Sequence, residues 1–197
     1  MNRLGFWSAS ALCVIGVAYV VTLIIGFVSA GFARPIVDPV LAVMEILTLL
    51  SAPILVVLMA AVHAYAPPEY KIHGVVAVAF MVLLAGLTSS VHFVELTAVR
   101  QSSTARLIWP STAYALELLG WDLFLGLSLL FAAPAFKGGK LEDAVRTGFY
   151  VGGTLCAGIL GPASGDMRLQ FIAIVGYAGV LPTVSLLLML LFRRTQT

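Results

Sequence analysis

Charge is what this chain has least of. Only 10% of its 197 residues are Asp, Glu, Lys or Arg, where a soluble domain carries about 25%. The chain therefore lacks the polar surface that would keep a globule of its size in water. The few charges nearly cancel, to a formal +2 at pH 7, and form no basic run or polar tail, which excludes nucleic acid as a partner. Cysteine is almost as scarce. Cys13 and Cys156 sit in separate apolar stretches with no CxxC, so they read as small buried apolar residues, with a redox pair or metal site the minor alternative. No GxSxG nucleophile motif is present, which disfavours acyl hydrolysis. No convincing repeat relates the two halves, which counts against an inverted-repeat transporter. The N-terminus does not fit a secretory signal. Its apolar run, Phe6 to about Phe32, far exceeds the usual h-region of about 7–15 residues, so the segment is expected to stay in the mature protein.

What the chain has is apolar length. Hydrophobic residues make up 61% of it, and its mean hydropathy is +1.06. A hydrocarbon core of about 30 Å needs about 20 apolar residues as helix. Stretches at about 6–31, 36–65, 72–98, 111–136, 142–161 and 169–192 meet that length. Backbone groups must be satisfied internally in lipid, so these are expected to be helices. Breakers fill the short connections: Arg34-Pro35, Pro67-Pro68, Trp109-Pro110, Gly138-Gly139 and Gly161-Pro162. The expected architecture is all-α, a polytopic transmembrane bundle of six helices with short loops, one integral membrane domain over residues 1–197.

Lys and Arg in the short loops set orientation. Arg3, Lys71, Lys137, Lys140, Arg146, Arg193 and Arg194 fall on the side of the N-terminus; Arg34, Arg100, Arg106 and Arg168 fall on the other. That bias puts both termini in the cytoplasm of a cell-membrane protein. The longest outer connection, Val99–Pro110, ends in Leu107-Ile108-Trp109 and suits the interface. Pro53 and Pro182 lie inside helical stretches, and each frees the carbonyl four residues earlier, Leu49 and Ala178. A packing kink is the plain reading; a hinge or a cavity wall is the sharper one. Small residues run down the fifth stretch as Gly148, Gly152, Cys156 and as Gly153, Ala157, Gly161, a pattern for close helix packing within the chain rather than between copies.

Ionisable groups inside a bilayer are costly and usually face protein or a wet cavity. Glu45, His92, Glu95, Glu117 and Asp122 are the five here, and the topology puts all of them in the outer half of the bilayer on three consecutive helices. Thr88, His92 and Glu95 recur at i, i+4, i+7 and share a stripe; so do Asp38, Glu45 and Thr48. Tyr114, Glu117 and Trp121 share a face, whereas Asp122 falls about 140° from Glu117 at about 100° per residue. Asp122 is thus expected to have a second neighbour or a deeper wall. The expected ligand-binding set is Glu45, Thr88, His92, Glu95, Tyr114, Glu117, Trp121 and Asp122, with His92, Glu95, Glu117 and Glu45 the candidates for chemistry. The bland alternative is internal pairing that fixes helix register, His92 with Glu95 in particular. Metal is not expected, because di-metal bundles repeat Glu-x-x-His on two helices and His92-x-x-Glu95 occurs once. Haem is not expected either: His63 and His73 lie at the opposite ends of their helices and read as interfacial residues whose rings reach the headgroups. No other cofactor is implied.

Gly176-Tyr177-Ala178-Gly179-Val180-Leu181-Pro182, running into Phe192-Arg193-Arg194, resembles the tails of uncharacterised bacterial multi-pass membrane proteins, as does Leu116-Glu117-Leu118-Leu119-Gly120-Trp121-Asp122. The resemblance covers about a quarter of the chain and implies no activity. To the sterol-isomerase and sigma-2-receptor family the chain is similar only in having acids and a histidine within a small helical bundle, so no residue is carried over. The expected partners are membrane lipid and a small apolar ligand, and nothing in the pattern selects an oligomeric state. Three functions compete: binding or transport of a small or lipid-like molecule, coupled to protons or not; intramembrane acid–base chemistry of an isomerase kind on an apolar substrate; and a structural role as accessory subunit of a membrane complex.

Overall fold

Proline and glycine cut the chain into rods. The structure, a computed structural model, describes residues 2–31, 34–101, 109–156 and 160–194. Six principal helices lie among them: α1 Asn2–Ala30, α2 Val40–Tyr65, α3 Pro68–Val99, α4 Thr112–Ala135, α5 Lys140–Leu155 and α6 Gln170–Arg194. No strand occurs among the described residues. Five of the six are long and apolar enough to cross a membrane. α5 is the exception to the expectation of six. Its first two turns carry Lys140, Glu142, Asp143 and Arg146, and its described helix has 16 residues, short of the usual span.

Local chemistry explains the ends. α2 stops at Tyr65 ahead of Pro67-Pro68, since a residue before proline disfavours helix. Lys71 Nζ then donates to the carbonyls of His63 at 2.8 Å and Ala64 at 2.9 Å, serving acceptors the helix end leaves open. Ser111 caps α4, its hydroxyl accepting from the Tyr114 N–H at 3.2 Å. Gly138, at φ +103, turns the chain into α5 through backbone space that favours glycine. Acidic Glu142 and Asp143 fall in the first turn of α5, at the positive end of its dipole.

Each helix packs on its neighbours in sequence, and α6 returns against α1, so the described residues close a ring. The half of the ring nearest the termini is filled. Phe136 stacks on Tyr65 and meets Phe149 edge-on, with Leu55, Leu58, Met59, Val62 and Phe192 buried around them. Small residues bring α4 and α5 to backbone contact: a Cβ on Gly153 would stand 2.9 Å from the Gly126 carbonyl oxygen. Gly148 and Gly152 meet Val184 and Val180 of α6. The small-residue rows thus serve packing within the chain, with Ala157 outside the described residues.

Three helices are interrupted by wider turns of π type: Glu95–Val99 in α3, Leu119–Phe124 in α4 and Val175–Val180 in α6. Such turns insert a residue into the helical phase and are frequent at functional sites. The third runs up to Pro182, so the backbone freed by that proline is absorbed there. Pro182 packs over Gly16, where a Cβ would come within 2.6 Å of its ring. Pro53 behaves differently. It is exposed on the outside of a helix that stays α throughout, and it is not among the residues that line the cavity described below.

Candidate ligand-binding site

The unfilled half of the ring encloses a cavity of about 440 Å³, within the usual 300–1,000 Å³ of small-molecule sites. α1 lines it from Leu12 to Phe27, about 22 Å of helix rise. Its end at the helix connections, the mouth, is lined by Arg34 of the α1–α2 connection and Trp109 of the α3–α4 connection; its other end, the floor, is apolar, with Leu12, Ile15, Leu181 and Pro182. Between mouth and floor comes a belt of polar side chains.

That belt is a hydrogen-bond chain across the α3–α4 contact. Trp121 Nε1 donates to Thr88 Oγ1 at 3.0 Å, and Thr88 Oγ1 donates to Glu117 Oε1 at 2.6 Å. His92 Nε2 lies 2.9 Å from the same oxygen. Indole is a donor only and a threonine hydroxyl has one proton, so the direction of this chain is determined as far as Glu117. One carboxylate oxygen therefore holds two partners. The other, Oε2, is buried with none among the described residues, and so is His92 Nδ1.

Glu45 reaches the cavity from α2. Its side chain is 1% exposed and accepts from Arg100 Nη1 at 2.8 Å, while Arg100 Nη2 donates to Asp38 at 2.9 Å. Arg100 also reaches the Glu95 carbonyl oxygen at 3.3 Å. One guanidinium thus ties the start of α2 to the wide turn that ends α3. Its hydrogen bond to Asp38, together with Glu45, raises its pKa further above the ordinary arginine value.

Five of the eight expected ligand-binding residues line the cavity: Glu45, His92, Tyr114, Glu117 and Trp121. Thr88, fully buried, stands behind them. Glu95 is buried in the wide turn and Asp122 in the next one, and neither is among the lining residues. Asp122 has the second neighbour its phase called for: Gln170 Nε2 donates to its Oδ1 at 3.1 Å. The alternative that joins His92 to Glu95 gives way to His92 with Glu117. His63 and His73 are half-buried, His63 packed over Gly74 and His73 against Tyr70 and Phe131. The expected interfacial stretch before Pro110 lies mostly outside the described residues, and so does Arg106; Trp109 stands at the cavity mouth.

Sequence reasoning missed Tyr19, Tyr177, Gln170 and the counterion role of Arg100. Tyr19 and Tyr177 line the cavity, and Tyr177 meets Trp121 at 5.5 Å between ring centroids. A lone tyrosine within the apolar run of α1 was the available signal for Tyr19. Among the described residues no group of three or more His, Cys, Asp or Glu is placed to hold a metal ion.

Fold and site together define an all-α bundle with helices of membrane-crossing length and an internal cavity belted by acid, histidine and aromatic groups. No protein-family model, curated protein or solved structure matches the chain.

Proposed function

We propose that this is an integral membrane protein, both termini cytoplasmic, that binds an elongated amphipathic molecule in the outer half of the bilayer. The single observation behind this reading is the pairing of a long apolar cavity with a polar belt whose acceptors are incompletely used. A buried polar atom left unpaired costs about 1–3 kcal/mol, and Glu117 Oε2 and His92 Nδ1 are both unpaired among the described residues, on side chains that line the cavity. A bound polar group relieves it, while the apolar floor takes the tail. The aromatic packing of the other half of the ring ends the cavity below Leu12, which favours binding over a continuous path through the bundle. Native mass spectrometry of the purified chain tests this: a retained molecule extractable by organic solvent is expected. A bare chain mass, with no change in tryptophan emission on adding lipid extract, would overturn it.

The His92–Glu117 contact supports a second reading, an intramembrane acid–base enzyme. There His92 transfers a proton and Glu117 stabilises the imidazolium that forms. The two readings part in heavy water. An isomerase incorporates deuterium into carbon positions of the bound molecule and loses this with His92→Gln; a binder returns the molecule unlabelled.

A further inference from the structure

We infer that the polar group this cavity accepts is an amine, so that the ligand is an amphipathic ammonium compound rather than a fatty acid or a neutral lipid. The inference rests on the binding reading above and names its ligand class. Hydrogen-bond direction leads to it. Trp121 and Thr88 point their protons toward Glu117, so Glu117 Oε1 acts as an acceptor. His92 Nε2 then donates to that oxygen as well. The other oxygen of the same carboxylate, Glu117 Oε2, has no partner among the described residues and is therefore an acceptor in reserve. An ammonium group carries protons alone; a carboxylate head offers none.

Charge agrees with hydrogen bonding. Besides its tyrosines, the ionisable residues that line the cavity are Arg34, Glu45, His92 and Glu117. Glu45 is matched by Arg100, which Asp38 shares. Glu117 has no lysine or arginine within ion-pair distance among the described residues; His92 is its one basic neighbour. Arg34 comes from the α1–α2 connection and is exposed. Tyrosine hydroxyls donate and accept alike, so they do not discriminate. The rings do: Trp121 and Tyr177, with centroids 5.5 Å apart, both line the cavity, and aromatic rings attract a desolvated cation. Below the belt the cavity is lined by Leu12, Ile15, Gly16, Leu181 and Pro182, which leaves room for an alkyl tail.

Three probes of equal tail length decide it: dodecylamine, dodecanol and dodecanoate, titrated at pH 7 into the purified full chain in nanodiscs and read by the emission of Trp109 and Trp121. Dodecylamine is expected to bind at least about tenfold more tightly than the other two, a charge-assisted hydrogen bond being about twice as strong as a neutral one. Glu117→Gln is expected to remove most of that advantage. Equal or tighter binding of dodecanoate or dodecanol by the unmodified protein overturns the amine assignment and leaves the amphiphile-binding reading standing, whether or not the variant folds. An unchanged amine preference in a folded Glu117→Gln protein overturns it too. Failure of all three probes, with a bare mass in the native spectrum, overturns both readings.

Discussion

His92 Nε2 and Thr88 Oγ1 converge on one oxygen of Glu117, at 2.9 and 2.6 Å, and leave its twin without a partner. This asymmetry joins α3 to α4 and at the same time keeps an acceptor in reserve at the cavity wall. Both consequences can be measured.

Removing the carboxylate should cost stability because two donors lose their acceptor. Glu117→Ala strands Thr88 and His92, while Trp121 keeps Thr88 Oγ1. A buried group left unpaired costs about 1–3 kcal/mol, and a destabilisation of about 2–3 kcal/mol is expected in denaturant unfolding in detergent. Glu117→Gln keeps a carbonyl in place and should lose less than half as much. Equal losses for the two variants would mean that the negative charge, and not the acceptor oxygen or the side-chain volume, is what the bundle needs there.

Asp122 and Gln170 should separate structure from site. Both are buried, and Asp122 does not line the cavity. Gln170→Leu leaves Asp122 without its donor and is expected to destabilise by about 1–3 kcal/mol. Asp122→Asn retains a hydrogen-bonding partner for Gln170 and should leave amphiphile binding within about twofold, on the scale where 1.4 kcal/mol is tenfold. A large loss of binding in a stable Asp122→Asn protein would move Asp122 into the site.

The bundle was legible because apolar length and breakers are local signals, and the five long helices fall where those signals put them. α5 was overread because its glycine-rich second half is apolar while its first two turns are charged. The belt was legible in part. Glu45, His92, Tyr114 and Glu117 carry an α-helical period that holds up to the wide turns, and Trp121 and Asp122 keep their expected sides within the second of them. Those turns carry no recognisable residue pattern, and the first is where Glu95 departs from the lining. Arg100 was seen only as a topology marker, since its partners Asp38 and Glu45 are more than fifty positions away in the chain. Ion pairs between helices leave no period to read.

Two glycines should respond in opposite directions. Gly153 stands against α4, where a Cβ would come 2.7 Å from Leu130 Cγ and 2.9 Å from the Gly126 carbonyl oxygen. Gly153→Ala must push the helices apart and is expected to cost about 1–3 kcal/mol, as overpacking does. Gly86 lies exposed on α3 with nothing within 4 Å of a built Cβ. Gly86→Ala should be neutral or stabilising by up to about 1 kcal/mol, the helix-propensity difference. Thermal unfolding in the same detergent checks both, and a stabilising Gly153→Ala would contradict the backbone contact of α4 with α5.

Arg100 and Glu45 should be strongly coupled. Glu45 is almost wholly buried, while the Arg100 side chain is 29% exposed. Removing one partner of a fully buried pair costs about 3–5 kcal/mol. Solvent at Arg100 lowers this, so Arg100→Gln is expected to cost about 2–3 kcal/mol. The loss comes from the charge left behind on Glu45, not from the attraction alone. Glu45→Gln in the Arg100→Gln background should therefore restore at least half of it, giving a coupling of about 1 kcal/mol or more in a double-mutant cycle. Asp38 supplies the control: it is half-exposed, and Asp38→Asn should cost less than about 1 kcal/mol, as exposed pairs do. Additive effects of the Arg100 and Glu45 substitutions would show that the guanidinium does not tie α2 to the end of α3, and the mouth of the cavity would then need another explanation.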